Sequence, residues 1–272
     1  MMTDISRQDV DQALADAARV AAVAGVTVRE MHGRDEEAQV AELLAVIWGR
    51  TAENPVVPTE FLRVLGKTGN YISGAFIDGE LVGASLGVHS SPERRTLHSH
   101  IAGVLPGTVG RSIGYALKLH QRAWSLERGI DVVEWTYDPL VSRNAAFNIR
   151  KLGALPVEYL ENFYGAMADT INAGDLSDRL LVRWYLRDEH VSALAAGALP
   201  APCGAGDDTV TVPDDIETLR VSDPERAKQW RGELRERLTD ALNDGARIIG
   251  FERGVGYILQ HASTEEKKTD ED

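Results

Sequence analysis

Asp78-Gly79 lies between two apolar runs, Tyr71–Ile77 and Glu80–Val88, and it constrains the fold more than any other dipeptide in the chain. It supplies the positive φ angles that a two-residue hairpin turn needs, so the flanking runs pair as antiparallel strands. A further strand, Thr96–Leu105, runs through Pro106–Gly110 into a helix over about Ser112–Arg128, which Gly129 closes. Asp131–Tyr137 then reads as the next strand. Hairpins followed by strand–helix–strand predict an α/β chain of the α+β kind, with a mixed sheet rather than a doubly wound parallel one.

The remaining elements follow from periodicity and caps. Val10, Leu14, Ala17, Ala18 and Ala21 recur at helical spacing, which gives an N-terminal helix within 1–25. Val26–Met31 alternates as a first strand, and Asp35 opens a helix with Val40, Leu43, Leu44 and Ile47 inward. Asn54–Thr59 breaks that helix and starts a shorter one through Leu65. After Asp138-Pro139 a helix is expected over Arg143–Leu152, then strands Ala154–Leu160 and Asp178–Leu186 around a long loop. One main domain would thus occupy 26–188. Residues 189–210, rich in Ala, Gly and Pro, read as a linker. A small helix-plus-hairpin unit follows over 211–262, its helix opened by a capping box at Ser222–Glu225 and faced by Trp230, Leu234, Leu238 and Ala241. Ser263–Asp272 is an acidic run expected to stay disordered.

Composition narrows the function. A formal charge of −13 in 272 residues argues against a nucleic-acid-binding surface. The single cysteine, Cys203, excludes an internal disulfide and any multi-thiolate metal site, and it reads as an incidental thiol. The opening lacks a basic n-region, and no run of about 18 apolar residues occurs, so a cytoplasmic protein without membrane contact is expected.

The Gly110–Ala116 segment, at the start of a helix, is the natural anion site. Its main-chain N–H groups and the helix dipole suit a pyrophosphate, and glycine lets phosphates approach the backbone. Alone, such a loop is more often a plain turn. Arg111-Ser-Ile-Gly114-Tyr-Ala116 also resembles the Arg/Gln-x-x-Gly-x-Gly/Ala pattern of the GNAT superfamily of acyl-CoA N-acyltransferases. Counting from Val104-Leu-Pro106 instead sets the family's Arg at Val109, its first Gly at Ser112 and its last position at Gly114. The chain further resembles a little-characterised GNAT subgroup through Trp135–Leu140, Asn144–Asn148, Leu152–Ala154, Tyr164-Gly165, Asp169-x-x-Asn172-x-Gly174 and Ser177–Leu180 with Trp184. That resemblance covers roughly Val26–Arg187.

The resemblance implies a GNAT-like sheet split between its fourth and fifth strands, with acetyl-CoA (coenzyme A) held in the split. Main-chain groups of Val104 and Leu105 would pair with the pantetheine amides. Gly110, Arg111, Ser112, Ile113, Gly114, Tyr115 and Ala116 would hold the pyrophosphate, and Asn144 and Asn148 are further cofactor contacts. An N–H at the break in the fourth strand would face the thioester carbonyl. The family's usual acid, a Tyr after the fifth strand, is replaced here by Ile149. Asp138, His100 and Tyr164 are therefore the catalytic candidates.

Each candidate also has a plainer role. Asp138 either caps the turn at Pro139 or acts as general base. Asn144 caps a helix, and Asn148 lies exposed, if neither contacts a ligand. His98 and His100 share one side of a strand as structural groups or as a base acting through water, and no third ligand accompanies them, so no metal is expected. Arg179 either pairs with Asp178 or clamps a substrate carboxylate. Trp135, Phe147 and Trp184 read as core. The function expected is transfer of an acyl group, most simply acetyl, to a small-molecule or peptide amine, with a homodimer left open. The alternative is a non-catalytic acyl-CoA-binding sensor.

Overall fold

The computed structural model describes residues 5–51, 54–165, 175–200, 206 and 208–261. Cys203, the Asp169–Gly174 motif and the tail from Ser263 lie outside the described residues. The elements run α1 (Arg7–Ala24), β1 (Thr27–Glu30), α2 (Gly33–Ile47), α3 (Thr59–Lys67), β2 (Tyr71–Ile77), β3 (Glu80–His89), β4 (Thr96–Val104), α4 (Ile113–Glu127) and β5 (Val132–Tyr137). They continue with α5 (Ser142–Ala145), β6 (Leu155–Leu160), β7 (Arg179–Tyr185), α6 (Glu189–Ala196), β8 (Asp208–Val210), α7 (Ile216–Ser222), α8 (Pro224–Asn243), β9 (Arg247–Glu252) and β10 (Gly256–Gln260). The chain divides into two compact units: Met1–Trp135 with Tyr185–Ala196, and Thr136–Trp184 with Gly197–Asp272. The expected boundary near residue 188 is therefore not where the chain divides.

In the first unit the strand order is β1-β2-β3-β4-β5. All neighbours are antiparallel except β4 and β5, which are parallel. The class is mixed α/β, as expected. Asp78 (φ 50°) and Gly79 (φ 88°) make the β2–β3 turn with the left-handed backbone that the dipeptide suits.

Alternate residues of β2 and β3 serve opposite faces. Ile72 and Leu86 join Met31, Val40, Leu44 and Leu62 in the core beneath α2 and α3. On the other face the Tyr71 hydroxyl meets His120 Nδ1 of α4 at 2.9 Å, and a Cβ placed on Gly83 or Gly87 would press on Leu117 or Gln121 of α4. Fully burying a Leu or Ile is worth about 1.5–3 kcal/mol. This two-sided burial holds β3 and β4 rigid where the site is built.

The expected linker contains α6. Asp188 accepts from the His190 N–H at 2.9 Å and so opens this helix, while Arg19 of α1 donates to the Ala195 carbonyl and the Tyr115 hydroxyl to that of Leu194 (3.0 Å).

In the second unit β6 and β7 pair antiparallel, and β8-β10-β9 form a three-stranded sheet. The helix expected over Arg143–Leu152 is instead one α-turn, α5, followed by a π-turn at Ala146–Lys151, in which the Leu152 N–H reaches the Phe147 carbonyl at 3.0 Å. The capping residue of α8 is Asp223, which accepts from the Arg226 N–H at 3.0 Å ahead of Pro224, and not Ser222. The stripe of α8 that is buried is Ala227, Arg231, Leu234 and Leu238.

Candidate active site

β4 and β5 pair only through Thr96–Val132, Leu97–Val133 and His98–Glu134. Beyond that point β4 runs on to Val104 paired with β3, so the two parallel strands part after His98 and Glu134. A bulge sits at the same place. Leu86 pairs with Ile101 and Gly87 with Ser99, which leaves His100 as the extra residue. Before the bulge Ser99 reaches α4, and after it Ile101 packs on the α2 core. One inserted residue has exchanged the faces of the strand.

The ladder also fixes which main-chain groups face the opening. The Leu105 N–H donates to the Val82 carbonyl at 2.8 Å, flanking the Gly83–Val104 pair. In an antiparallel ladder this makes Val104, and by alternation Ala102, residues whose N–H and C=O point away from β3. Val104 is thus turned toward the opening. Leu105 is not: its carbonyl accepts from both the Thr108 N–H (2.9 Å) and the Thr108 hydroxyl (2.8 Å), so its polar groups are engaged inside the protein. Ala102 is turned the same way as Val104.

β4 leads into the loop at Pro106–Ser112. Gly110 has φ 91°, and Ser112, the residue that opens α4, has φ 62° without a side-chain capping bond. A left-handed non-glycine residue at a helix start is uncommon, and such strain gathers at ligand sites. A Cβ added at Gly107, Gly110 or Gly114 would meet nothing within 4 Å, so the loop's outer surface is open. The first-turn N–H groups of Ile113, Gly114 and Tyr115 are those a helix leaves without helical carbonyls. A pyrophosphate fits this surface. The side chains of Ile113, Tyr115 and Ala116 are buried packing groups and can contribute only main chain. Arg111 is exposed, with its guanidinium near Gly25.

Sequence reasoning missed Lys118. Its side chain is buried on α4, with Nζ donating to Ser99 Oγ (3.1 Å) and Gln121 Oε1 (2.8 Å) and lying 3.6 Å from the centre of the Trp135 ring. Burial pushes its pKa well below the usual lysine value. Lys118, Gln121 and Ser125, spaced i, i+3 and i+7 within a helix buried on most sides, were the available signal. On most helices that spacing marks a solvated face.

His98 and His100 flank Ser99 with ring centroids 6.1 Å apart. Desolvation lowers both pKa values below 6.5; for His98 the neighbouring His100 and Lys118 add to it, against Glu134. Both are therefore neutral near pH 7 and able to accept a proton.

The second unit holds the other candidates, and Asp138 does not suit the role of base. Its Oδ1 accepts from the Leu140 N–H (3.0 Å) and Arg231 Nη1 (2.8 Å), and its Oδ2 from Arg231 Nη2 (2.9 Å) and Arg220 Nη2 (2.5 Å). Asp175 joins the same two guanidinium groups. Burial raises the Asp138 pKa, but Arg231 and then Arg220 outweigh it and bring the group to about 2. A carboxylate so held is a weak base with no oxygen to spare, and its capping bond to Leu140 is the plainer role considered for it.

Tyr164 is exposed, 3.1 Å from Thr136 Oγ1, with the Arg179 guanidinium 5.2 Å from its ring centre. Asp178 pairs with Arg235 (2.7 and 2.9 Å) rather than with the Arg179 guanidinium, which donates to the Asp178 carbonyl. Asn144 is half-buried and Asn148 buried, contrary to the exposed position considered for it. Ile149 is buried and apolar. Among the described residues no group of three or more His, Cys, Asp or Glu could hold a metal, and no helix is long and apolar enough to cross a membrane.

Several solved structures are similar to the chain. The acetyltransferase of GNAT family from Streptococcus pneumoniae shares 14% identity over 58% of this chain and 97% of its own, with a TM-score of 0.48. The ribosomal-protein-S18-alanine N-acetyltransferase from Escherichia coli shares 12% over 68% and 99%, with a TM-score of 0.46. The ribosomal-protein-alanine N-acetyltransferase from Brucella melitensis shares 21% over 58% and 98%, with a TM-score of 0.45. No family model and no curated protein matches the chain. Scores below 0.5 fix no residue's role, and the roles below come from the chain's own geometry.

Proposed function

We propose that the protein transfers an acyl group, most simply acetyl, from acyl-CoA to an amine. The observation that carries this is one strand: β4 leaves β5 at a bulge, turns the main chain of Ala102 and Val104 toward the opening, and ends at a helix start with an open glycine surface. At about 3.3 Å per residue, Ser99–Val104 offers roughly 20 Å of strand edge. Pantetheine carries amides and pairs as a strand would, with its pyrophosphate at Gly110–Tyr115 and its thioester at the bulge. Acyl-CoA supplies an activated acyl carbon. The amine nitrogen bonds to that carbon, the C–S bond breaks with its electron pair leaving on sulfur, and the ammonium proton passes to a base. His100, neutral at pH 7 and beside the bulge, is the base that best fits this reading, acting through water. A soluble, cytoplasmic setting and an amine acceptor of small-molecule or peptide type complete the proposal.

The test is twofold: thermal protection by acetyl-CoA, then release of CoA thiol across a panel of amines. Absence of protection would sink the reading. A second reading, an acyl-CoA-binding module without turnover, is favoured by Ile149 at the usual acid's position and by the engaged state of Asp138. Protection without thiol release from any amine decides for it.

A further inference from the structure

The last ladder pairs between β4 and β5 end at His98 and Glu134, so Ser99 and Trp135 are the first residues past the fork, one on each strand. Lys118 touches both. Its Nζ donates to Ser99 Oγ at 3.1 Å and stands 3.6 Å from the Trp135 ring centre, with Gln121 Oε1 at 2.8 Å fixing it from its own helix. Ser99, Lys118, Gln121 and Trp135 are all buried, so these contacts are set by packing rather than by solvent. The bulge at His100 follows immediately.

We infer that Lys118 is a positioning residue, a wedge that sets where β4 and β5 part and thereby where the reactive end of an acyl-CoA comes to rest. The inference rests on the acyl-CoA reading of the cleft. Three features of the contacts support it. A long, flexible side chain from α4 reaches both strands at one level, whereas a packing residue needs contact with only one. The contacts are directional: hydrogen bonds to hydroxyl and amide oxygens and a cation over an aromatic face specify a position more narrowly than apolar contact does. A buried lysine is also rare in a core, because desolvation opposes its charge, so an aliphatic residue would serve packing better. The anion-binding loop lies at the other end of β4, past Val104, so the wedge addresses the arm of the ligand and not its phosphates.

Lys118→Met keeps the length of the side chain and removes its donors. The variant leaves Gln121 Oε1 without its lysine donor, so a modest loss of stability is expected, and the test reads the ratio of two ligand affinities rather than the melting temperature. Calorimetry with two ligands reads the wedge: acetyl-CoA, and adenosine 3′-phosphate 5′-diphosphate, which has the nucleotide end without the arm. The expected result is that acetyl-CoA binds at least about tenfold more weakly to Lys118→Met while the nucleotide binds as to wild type. Ser99→Ala, which removes one of the two contacts across the fork, should shift acetyl-CoA the same way by a smaller factor. Wild-type protein that binds neither ligand would remove the acyl-CoA reading itself. Wild type that binds acetyl-CoA, with Lys118→Met binding it equally well, overturns the wedge and leaves that reading intact. Equal loss of both ligands, or a lower melting temperature with no change in the ratio between them, also overturns it, since either marks a general structural role.

Discussion

The two compact units bury polar groups in opposite ways. In the first, the seam between the sheet and α4 carries Ser73, Ser85 and Ser99 from the strands and Lys118, Gln121 and Ser125 from the helix, all buried. Within this seam the hydroxyls of Ser85 and Ser125 and the Gln121 Nε2 have no hydrogen-bond partner among the described residues. In the second, Asp138, Asp175, Arg220 and Arg231 close on one another through a set of charge-assisted bonds. A buried polar atom without a partner costs about 1–3 kcal/mol, which a region built only for stability would avoid. A closed quartet of charges has the reverse character: it is costly to open and has little capacity left for chemistry. The difference teaches that the charged cluster, which draws the eye in a search for catalysis, is the structural one. The seam beside the fork is the place with polar capacity left over.

The largest effect expected from this contrast is on stability. Asp138→Asn leaves two buried arginines facing a single carboxylate, and breaking a buried pair from one side typically costs about 3–5 kcal/mol. Denaturant unfolding should show that loss, while acetyl-CoA affinity stays near wild type. A variant as stable as wild type but slower in transfer would reverse the comparison and restore Asp138 to catalysis. The acid side offers a second measurement. With its pKa lowered from 3.8 to about 2, Asp138 contributes roughly 2 kcal/mol that is fully present above pH 3.8 and lost as pH falls through about 2. Asp138→Asn should flatten that part of the stability curve.

A smaller effect, confined to binding, is expected at the start of α4. Gly114→Asp adds a negative charge where a Cβ meets nothing within 4 Å among the described residues, so folding should be undisturbed. Acetyl-CoA affinity should fall by more than about tenfold, near 1.4 kcal/mol. Unchanged affinity in the folded variant would separate the glycine surface from phosphate binding and leave the first unit without its anion site.

What could be read in the sequence divides along physical lines. The β2–β3 hairpin was legible because Asp78-Gly79 specifies its turn locally. The start of α4 was legible through the glycines near Gly110. Helix α6 was obscured by the Ala-rich composition of 189–200, although Asp188 two residues before His190 was a usable cap signal. The face of α8 was misjudged at Trp230 and Ala241, which are not buried. Trp230 is only half-buried and Arg231 is buried, because the partners that make burial tolerable, Asp138 and Asp175, are distant in sequence. The fork was inaccessible for the same reason. The length of the β4–β5 ladder and the bulge at His100 are set by pairing registers between strands, which no local pattern encodes. Asp138 beside Pro139 carries the same local signal whether its oxygens face solvent or two arginines.

The smallest effect expected is kinetic, and it tests whether the first unit holds the base. His98 and His100 both have pKa values below 6.5, chiefly from desolvation, so each is the unprotonated acceptor at pH 7 and gains its proton only as pH falls further. A rate that depends on His100 as base must therefore be level above about pH 6.5 on its account and decline on the acidic side, with the midpoint below the ordinary histidine value. Solvent can replace a base for amines of low pKa, so His100→Gln should lower kcat by only roughly three- to tenfold, below the ~10²–10⁴ of a fully engaged base. The sharper signature is the shape of the profile: His100→Gln removes the acidic limb, whereas His98→Gln leaves its midpoint in place, because desolvation is what lowers the His100 pKa. An acidic limb unchanged in both variants would place the base outside the fork. An acidic limb lost only in His98→Gln would move it one turn of the bulge, to the opposite side of Ser99, and keep the chemistry in the first unit.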